Sequence, residues 1–262
     1  MTTYLDEILA AHRAAAAADG RSLDDLIAAA RAAAPPRGFA AALRAGSADG
    51  LAVIAEVKRR SPSKGDLAPD LDPAATAAAY AAGGATCLSV LTDTDHFGGS
   101  VADLQAARAA VAIPVLRKDF TVGPHDVCDA RTMGADAVLL IVAALDDAEL
   151  RDLHALAVDV GLDVLVEVHD EPELERAVAV GATVIGVNQR DLVTFEVDHD
   201  RAVRVGAAMP DGIVRVAESG IRGPDDAAAL AAAGFHAVLV GESVVTAGDR
   251  AASVAALRRA AG

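Results

Sequence analysis

Apolar residues along this chain follow two alternating rhythms. From Leu51 onward, short runs rich in β-branched residues alternate with longer Ala-rich stretches that read as helices. The short runs predict strands at Leu51–Val57, Thr86–Leu91, Pro114–Leu116, Ala137–Ile141, Asp163–Val168, Thr183–Val187, Ile213–Ala217 and Ala237–Val240. Such runs suit strands buried on both faces, as in a parallel sheet covered by helices. The intervening helices carry start and stop signals. Asp72-Pro73, Gly123-Pro124, Glu171-Pro172 and Gly223-Pro224 put proline where a first helical turn tolerates it. Gly83-Gly84, Gly134, Gly161, Gly181 and Gly234 fall where helices end before the next strand.

Ahead of the first strand, Tyr4 to Asp19 reads as an amphipathic helix closed by Gly20. Ser22 caps a second helix, with Leu23, Leu26 and Ile27 on one face, running to about Ala34 before Pro35-Pro36. Phe39 to Arg44 is a third. These segments predict an N-terminal helical extension, residues 1–50, packed across one end of the core. Residues 51–262 then hold eight strand–helix units with short connections. That count favours a closed (β/α)8 barrel, class α/β; an open doubly wound sheet is the alternative. No Pro/Gly/Ser-rich linker divides the chain, so 1–262 reads as a single domain.

Composition changes this picture little. Hydrophobic residues make up 53% and charged residues 23%, as in a globular chain, and aromatics are only 3%. The net charge of −15 argues against nucleic acid or an anionic membrane as partner, yet leaves room for a small anionic substrate in a locally basic pocket. Cys87 and Cys128 form no CxxC pair and read as small buried thiols. The chain shows no signal peptide and no apolar run of the ~18–20 residues a membrane span needs, so a reducing cytoplasmic setting is expected.

Polar residues gather where the predicted strands end. Glu56 and Lys58, two apart, point to one face of the first strand end. The third strand runs into Arg117-Lys118-Asp119-Phe120 and the fifth into Glu167, followed by His169. The sixth runs into Asn188-Gln189-Arg190, the seventh into Glu218-Ser219-Gly220 and the eighth into Gly241-Glu242-Ser243. In a (β/α)8 barrel these ends share one mouth. Small residues after the last two strands suit a phosphate group. A lysine flanked by carboxylates can act as general acid, and a glutamate with a raised pKa as acid or base. No His/Asp/Cys grouping has metal-ligand spacing, and His96 and His169 read as solvent-facing or supporting.

Six stretches carry a resemblance. They are Glu56-Val57-Lys58-Arg59-Arg60-Ser61-Pro62-Ser63, Leu88-Ser89-Val90-Leu91-Thr92-Asp93, Arg117-Lys118-Asp119-Phe120, Leu165-Val166-Glu167-Val168-His169, Val187-Asn188 with Arg190-Asp191-Leu192, and Glu218-Ser219-Gly220-Ile221. Together they resemble the indole-3-glycerol phosphate synthase family, over nearly the whole chain. The resemblance implies a single (β/α)8 barrel that needs neither metal nor organic cofactor. Its reaction converts 1-(2-carboxyphenylamino)-1-deoxyribulose 5-phosphate to indole-3-glycerol phosphate in tryptophan biosynthesis, releasing CO₂ and water. Its partner is that phosphorylated small molecule, and the chain is expected to be a monomer or at most a weak dimer.

The resemblance also implies roles. Lys118 would be the general acid of ring closure, with Glu167 as a second acid/base group that keeps Lys118 charged. Lys58 would bind the substrate carboxylate and serve dehydration, with Glu56 as its partner. Asn188 would orient the substrate, Arg190 would lie near its carboxylate, and Glu218 would bind sugar hydroxyls. Ser61, Ser219, Gly220, Gly241 and Ser243 would surround the phosphate. Phe97, Phe120 and Leu139 would line the anthranilate ring. Gln189, where many members carry Asn, and His96, where an aromatic is common, depart from the pattern. A different phosphosugar barrel enzyme and a non-catalytic metabolite binder are the rival readings; the former lacks this acid/base set, and the latter has no need of Lys118 with Glu167.

Overall fold

The computed structural model describes residues 4–191 and 193–260; Leu192 of the quoted motif lies outside the described residues. Three helices come first: α1 (Tyr4–Ala18), α2 (Leu23–Ala32) and α3 (Phe39–Gly46). Strand β1 (Ala52–Val57) leads into a small antiparallel hairpin, β2 (Arg60–Ser61) and β3 (Gly65–Asp66). Then follow α4 (Pro73–Ala82), β4 (Cys87–Leu91), α5 (Thr94–Phe97), α6 (Val101–Ala110), β5 (Val115–Lys118), α7 (Pro124–Thr132) and β6 (Ala137–Ile141). After a 3₁₀ turn come α8 (Asp147–Asp159), β7 (Asp163–Val168), α9 (Glu171–Ala179), β8 (Val184–Asn188) and α10 (His199–Ala208). The chain finishes with β9 (Val214–Glu218), α11 (Pro224–Ala232), β10 (Ala237–Val240), α12 (Glu242–Val245) and α13 (Arg250–Arg259). The strands other than the hairpin are parallel and close in the order β1-β10-β9-β8-β7-β6-β5-β4, a (β/α)8 barrel.

Strand periodicity explains why the site forms where it does. Successive side chains on a strand alternate between barrel interior and helix layer. Ala52 and Ile54 of β1 belong to the interior cluster, while Val53, Ala55 and Val57 pack outward. Glu56 continues the inward row. The same arithmetic follows Leu116 with Lys118, Leu165 with Glu167, and Val214 and Val216 with Glu218; on β8 the row Val184, Gly186 ends in Asn188. On these five strands the inward row therefore turns polar at its C-terminal end. Three strands extend one or two residues past their predicted ends, to Lys118, Asn188 and Glu218. Apolar patterning stops counting at a polar residue, whereas the backbone ladder continues through it.

Of the N-terminal helices, α3 covers one end of the barrel, as expected of the extension, while α2 and α1 continue along its side to the opposite end. Helix α3 plugs the N-terminal end: Phe39 and Leu43, both fully buried, pack with the first interior layer of Ala52, Cys87, Ala137, Val184, Val214 and Ala237. Asp163 fixes the start of this plug by accepting the Ala40 N–H at 2.9 Å. Helix α2, capped by Ser22 as predicted, packs along the side against α7. Helix α1 reaches the opposite end. His12 Nε2 lies 3.1 Å from Asp93 after β4, and Arg13 pairs with Glu149 at 2.6 Å. Periodicity identifies a face to be buried but not the surface that buries it. Cys87 and Cys128 are buried free thiols. Among the described residues no helix is long and apolar enough to cross a membrane.

Candidate active site

At the C-terminal end of the strands a cavity of about 580 Å³ opens. It gathers Glu56, Lys58, Ser61, Phe97, Lys118, Phe120, Glu167, Asn188, Arg190, Glu218, Ser219, Gly220, Gly241 and Ser243. Leu139 is the exception among the sequence-predicted residues. It sits one layer deeper and lines a small adjoining void with Phe97 and Phe120. Ile141, two residues on in the same inward row, takes the place at the main cavity, with Leu91 and Leu239. Continuing the alternation of β6 by one step is the signal that finds Ile141. Lys64, Phe195, Val197, His199 and Arg222 also line the mouth, all from loops or a helix start that strand reasoning does not reach.

The ionisable groups form a connected set. Lys58 Nζ donates to Glu56 Oε1 at 2.6 Å, and Ser89 donates to the other Glu56 oxygen at 3.1 Å. Lys118 Nζ is 3.7 Å from Glu167 Oε2, while Asn188 Nδ2 donates to Glu167 Oε1 at 3.1 Å. Asn188 is itself fixed, because its Oδ1 accepts the Arg190 N–H at 3.0 Å. Arg190 turns its guanidinium to the Phe195 carbonyl at 3.0 Å and so braces its own loop. Two strand or loop glycines make room. A Cβ on Gly186 would land on Glu218 Oε1, and one on Gly241 would stand 2.5 Å from Glu56 Oε1 and 2.9 Å from Lys58 Nζ.

These neighbours set the protonation states. Burial opposes the charge on Lys118, but Glu167, Glu218 and Glu56 surround it and hold it above the usual lysine range, as an ammonium. Burial likewise opposes the charge on Glu56; Lys58 and Lys118, with hydrogen bonds from Lys58 and Ser89, outweigh it and hold the carboxyl below its usual range. Glu218 goes the other way. Burial, then the nearby Glu167 charge, push it well above the usual carboxyl range. One mouth thus holds a lysine raised above its usual range, one carboxyl held below its range and another pushed well above it, the kind of split that separates acid from base roles.

The side of the mouth after β9 is built from unusual backbone. Ser219 has φ +66° and Gly220 φ +72°, two left-handed residues in succession. Turns of this kind expose backbone N–H groups suited to anions. Gln189 holds the turn, its buried amide donating to the Ser219 carbonyl at 2.8 Å. The departure flagged at this position therefore acts on the loop. Ser243 donates to the Ile221 carbonyl at 2.9 Å and ties the loops after β9 and β10 together. Phe97 and Phe120 face each other across 6.4 Å at 41° on the other side of the cavity.

The two histidines read as solvent-facing or supporting are both engaged. His96 bonds Asp93 through Nδ1 at 3.0 Å and meets Tyr4 edge-on. His169 is largely buried, against Glu167 and Glu173. One group of metal-compatible residues exists among the described residues: His12, Asp93 and Asp119. Its oxygens are already used. Asp93 accepts from His12, His96 and the N–H groups of His96 and Phe97, and Asp119 from Thr92, Arg117 and the Phe120 N–H. The arrangement is an ion-pair network that docks α1 on the loops carrying Phe97 and Phe120.

The family described as indole-3-glycerol phosphate synthase matches residues 5–257. Curated relatives named indole-3-glycerol phosphate synthase include one from Nocardioides, 60% identical over 77% of this chain and 78% of its own length. Others come from Mycolicibacterium vanbaalenii, 52% identical over 97% of this chain and 93% of its own, and from Streptomyces griseus, 54% identical over 97% and 94%. Among solved structures, thiamine phosphate pyrophosphorylase from Pyrococcus furiosus aligns with a TM-score of 0.62 at 18% identity, over 81% of this chain and 96% of that one. That likeness concerns the barrel alone.

Proposed function

The chain belongs to the indole-3-glycerol phosphate synthase family, carboxy-lyases of tryptophan biosynthesis, and from that premise we propose how its own residues divide the reaction. The substrate's phosphate takes the side of Ser219, Gly220, Gly241 and Ser243, with Ser61 above it on the hairpin. Its aryl ring takes the side of Phe97 and Phe120 over Ile141. This places the ketone between them, at Lys118 and Glu167.

Ring closure joins the carboxylate-bearing aryl carbon to the ketone carbon, and the carbonyl electron pair moves to oxygen. Lys118 supplies a proton to that oxygen; the neighbouring carboxylates, Glu167 first and Glu56 with it, keep it an ammonium until then. The bond to the carboxylate then breaks, CO₂ leaves, and its electron pair restores the aromatic ring. Last, the new hydroxyl leaves as water with a proton from the Lys58 side, while Glu167 accepts the proton lost from the neighbouring carbon. Glu218, which burial and the Glu167 charge push toward its protonated form, donates to a sugar hydroxyl. Glu56 holds Lys58 in place at 2.6 Å.

The observation that carries this reading is the convergence of five ionisable residues, Glu56, Lys58, Lys118, Glu167 and Glu218, on one cavity beside the left-handed turn at Ser219 and Gly220. The buried free thiols Cys87 and Cys128 suit a reducing, cytoplasmic setting. Mixing the purified protein with the anilino-deoxyribulose phosphate should give a rise in indole fluorescence without added metal. A flat signal at saturating substrate overturns the reading.

Gly220 offers a separate check on where the phosphate sits. At φ +72° an alanine is strained, and its Cβ would overlap Val197. Gly220→Ala should raise KM about tenfold, the equivalent of ~1.4 kcal/mol, and change kcat little. Steady-state kinetics decide it: an unchanged KM removes this turn from the phosphate site.

A further inference from the structure

Glu167 has a neighbour that the steps above leave idle. His169, two residues beyond it, places Nε2 3.6 Å from Glu167 Oε1. That nitrogen is buried and has no hydrogen-bond partner. The other ring nitrogen, Nδ1, lies 3.0 Å from Glu173 Oε2, and the same oxygen accepts the His169 backbone N–H at 2.7 Å. A carboxylate only accepts, so Nδ1 carries a hydrogen and the ring edge toward Glu167 is the one free to gain or lose a proton. Glu167 thus lies between two nitrogens at nearly equal range, Lys118 Nζ at 3.7 Å on one oxygen and His169 Nε2 at 3.6 Å on the other.

That symmetry has a use in the reaction. When Lys118 gives its proton to the ketone oxygen, it becomes a neutral amine, and Glu167 loses the charge that balanced it. A buried carboxylate without a cation is costly and tends to take up a proton. Glu167 must remain ionised to accept a proton in the dehydration that follows. We propose that His169, as an imidazolium held by Glu173, is the second cation of Glu167, keeping that carboxylate ionised and oriented after Lys118 has discharged. This rests on the reading of Glu167 as the base. His169 is a positioning residue, acting through Glu167 and not on substrate.

The surroundings of the ring support a charged form. Burial disfavours it, but the hydrogen bond to Glu173 and the charges of Glu167 and Glu173 prevail and hold the imidazole above its ordinary pKa. The opposing charge is Arg201 of α10, whose guanidinium is engaged with the Asn188 carbonyl at 3.3 Å and faces Asp191 at 3.7 Å. A purely structural alternative exists, since Glu173 also reaches back over the start of α9 as a helix-capping side chain does. Kinetics against pH separate the two.

In the wild type, kcat should be highest while His169 is protonated and fall as pH rises through its folded pKa. Glu218 also loses its proton as pH rises, so the comparison between variants is the test. Glu173→Gln removes one charge that raises the imidazole and should move the fall to lower pH by about one unit. His169→Gln should lower kcat about tenfold at neutral pH, less than the ~10²–10⁴ of a group that transfers the proton itself, with KM unchanged. The position of a pH limb does not depend on the amount of folded protein, so loss of the α9 cap cannot imitate the shift. A limb that stays in place in Glu173→Gln, or a His169→Gln enzyme with the wild-type kcat, overturns the proposal. If wild-type protein makes no indole product, it is the reading of the reaction that fails; if the wild type turns over and these variants match it, only the role of His169 does.

Discussion

Lys118→Ala is expected to lower kcat at least about 100-fold, the lower end of what a positioned general acid contributes. The residue is the last of β5 and projects from the inward row, with 19% of its side chain exposed to the cavity. Around it stand Glu167, Glu218 and Glu56. Lys58 does not stand in for it, because Glu56 holds that ammonium at 2.6 Å on the β1 side of the mouth, where it serves the later dehydration. Truncation removes both a proton donor and a positive charge, and the two losses need separating. Lys118→Arg does this, since a guanidinium keeps the charge but does not give up a proton in proteins. The arginine variant should recover much of any lost stability, by restoring a cation among three carboxyl groups, and still turn over at least about 100-fold slower than wild type. Indole fluorescence gives the rates and thermal unfolding gives the stabilities. A full rate in Lys118→Ala ends the assignment, and a full rate in Lys118→Arg reduces the lysine to an electrostatic role.

The sequence exposes the parts of this site that obey a simple period. Alternation on eight strands is enough to place Glu56, Lys118, Glu167 and Glu218 at one mouth, because a polar residue at the end of an inward row has only the cavity to face. The same rule, applied one step further along β6, separates Ile141 from Leu139. What periodicity does not reach is anything set by backbone conformation or by contacts between distant loops. Phe195, Val197 and His199 enter the cavity through the excursion between β8 and α10, where the Arg190–Val197 bridge folds the chain back on itself. The placement of α1 over the mouth depends on His12 meeting Asp93, 81 positions later in the chain. Gln189 reads as a departure in a substrate-facing motif, yet its amide is turned away to the Ser219 carbonyl. His169 reads as an exposed loop residue because it follows a strand end; α9 brings Glu173 over it and buries the ring.

Gly186→Ala is the second change from which a large effect is expected, and it touches neither substrate nor any ion pair. A glycine inside a strand ordinarily weakens it and marks a place where something approaches closely. In β8 the approaching group is a carboxylate. A methyl on Gly186 would occupy the position of Glu218 Oε1 and would crowd the Glu218 carboxyl carbon at 3.0 Å and Leu165 at 3.3 Å. Pairing of Asn188 with Glu218 and of Gly186 with Val216 fixes the strands relative to each other, so the backbone cannot yield. The side chain of Glu218 must move instead, in a site where a shift of about 1 Å costs on the order of 100-fold in rate. Overpacking should also cost about 1–3 kcal/mol of stability, which leaves the barrel folded. The decisive comparison is a double-mutant cycle. If Gly186 matters only by leaving room for Glu218, then adding Gly186→Ala to Glu218→Ala should change kcat little, although each change alone is severe. Independent, multiplying losses in the double variant would mean that the methyl disturbs the inner wall of the barrel as a whole. A wild-type rate in the single variant would mean that the position of the Glu218 carboxyl does not govern the reaction.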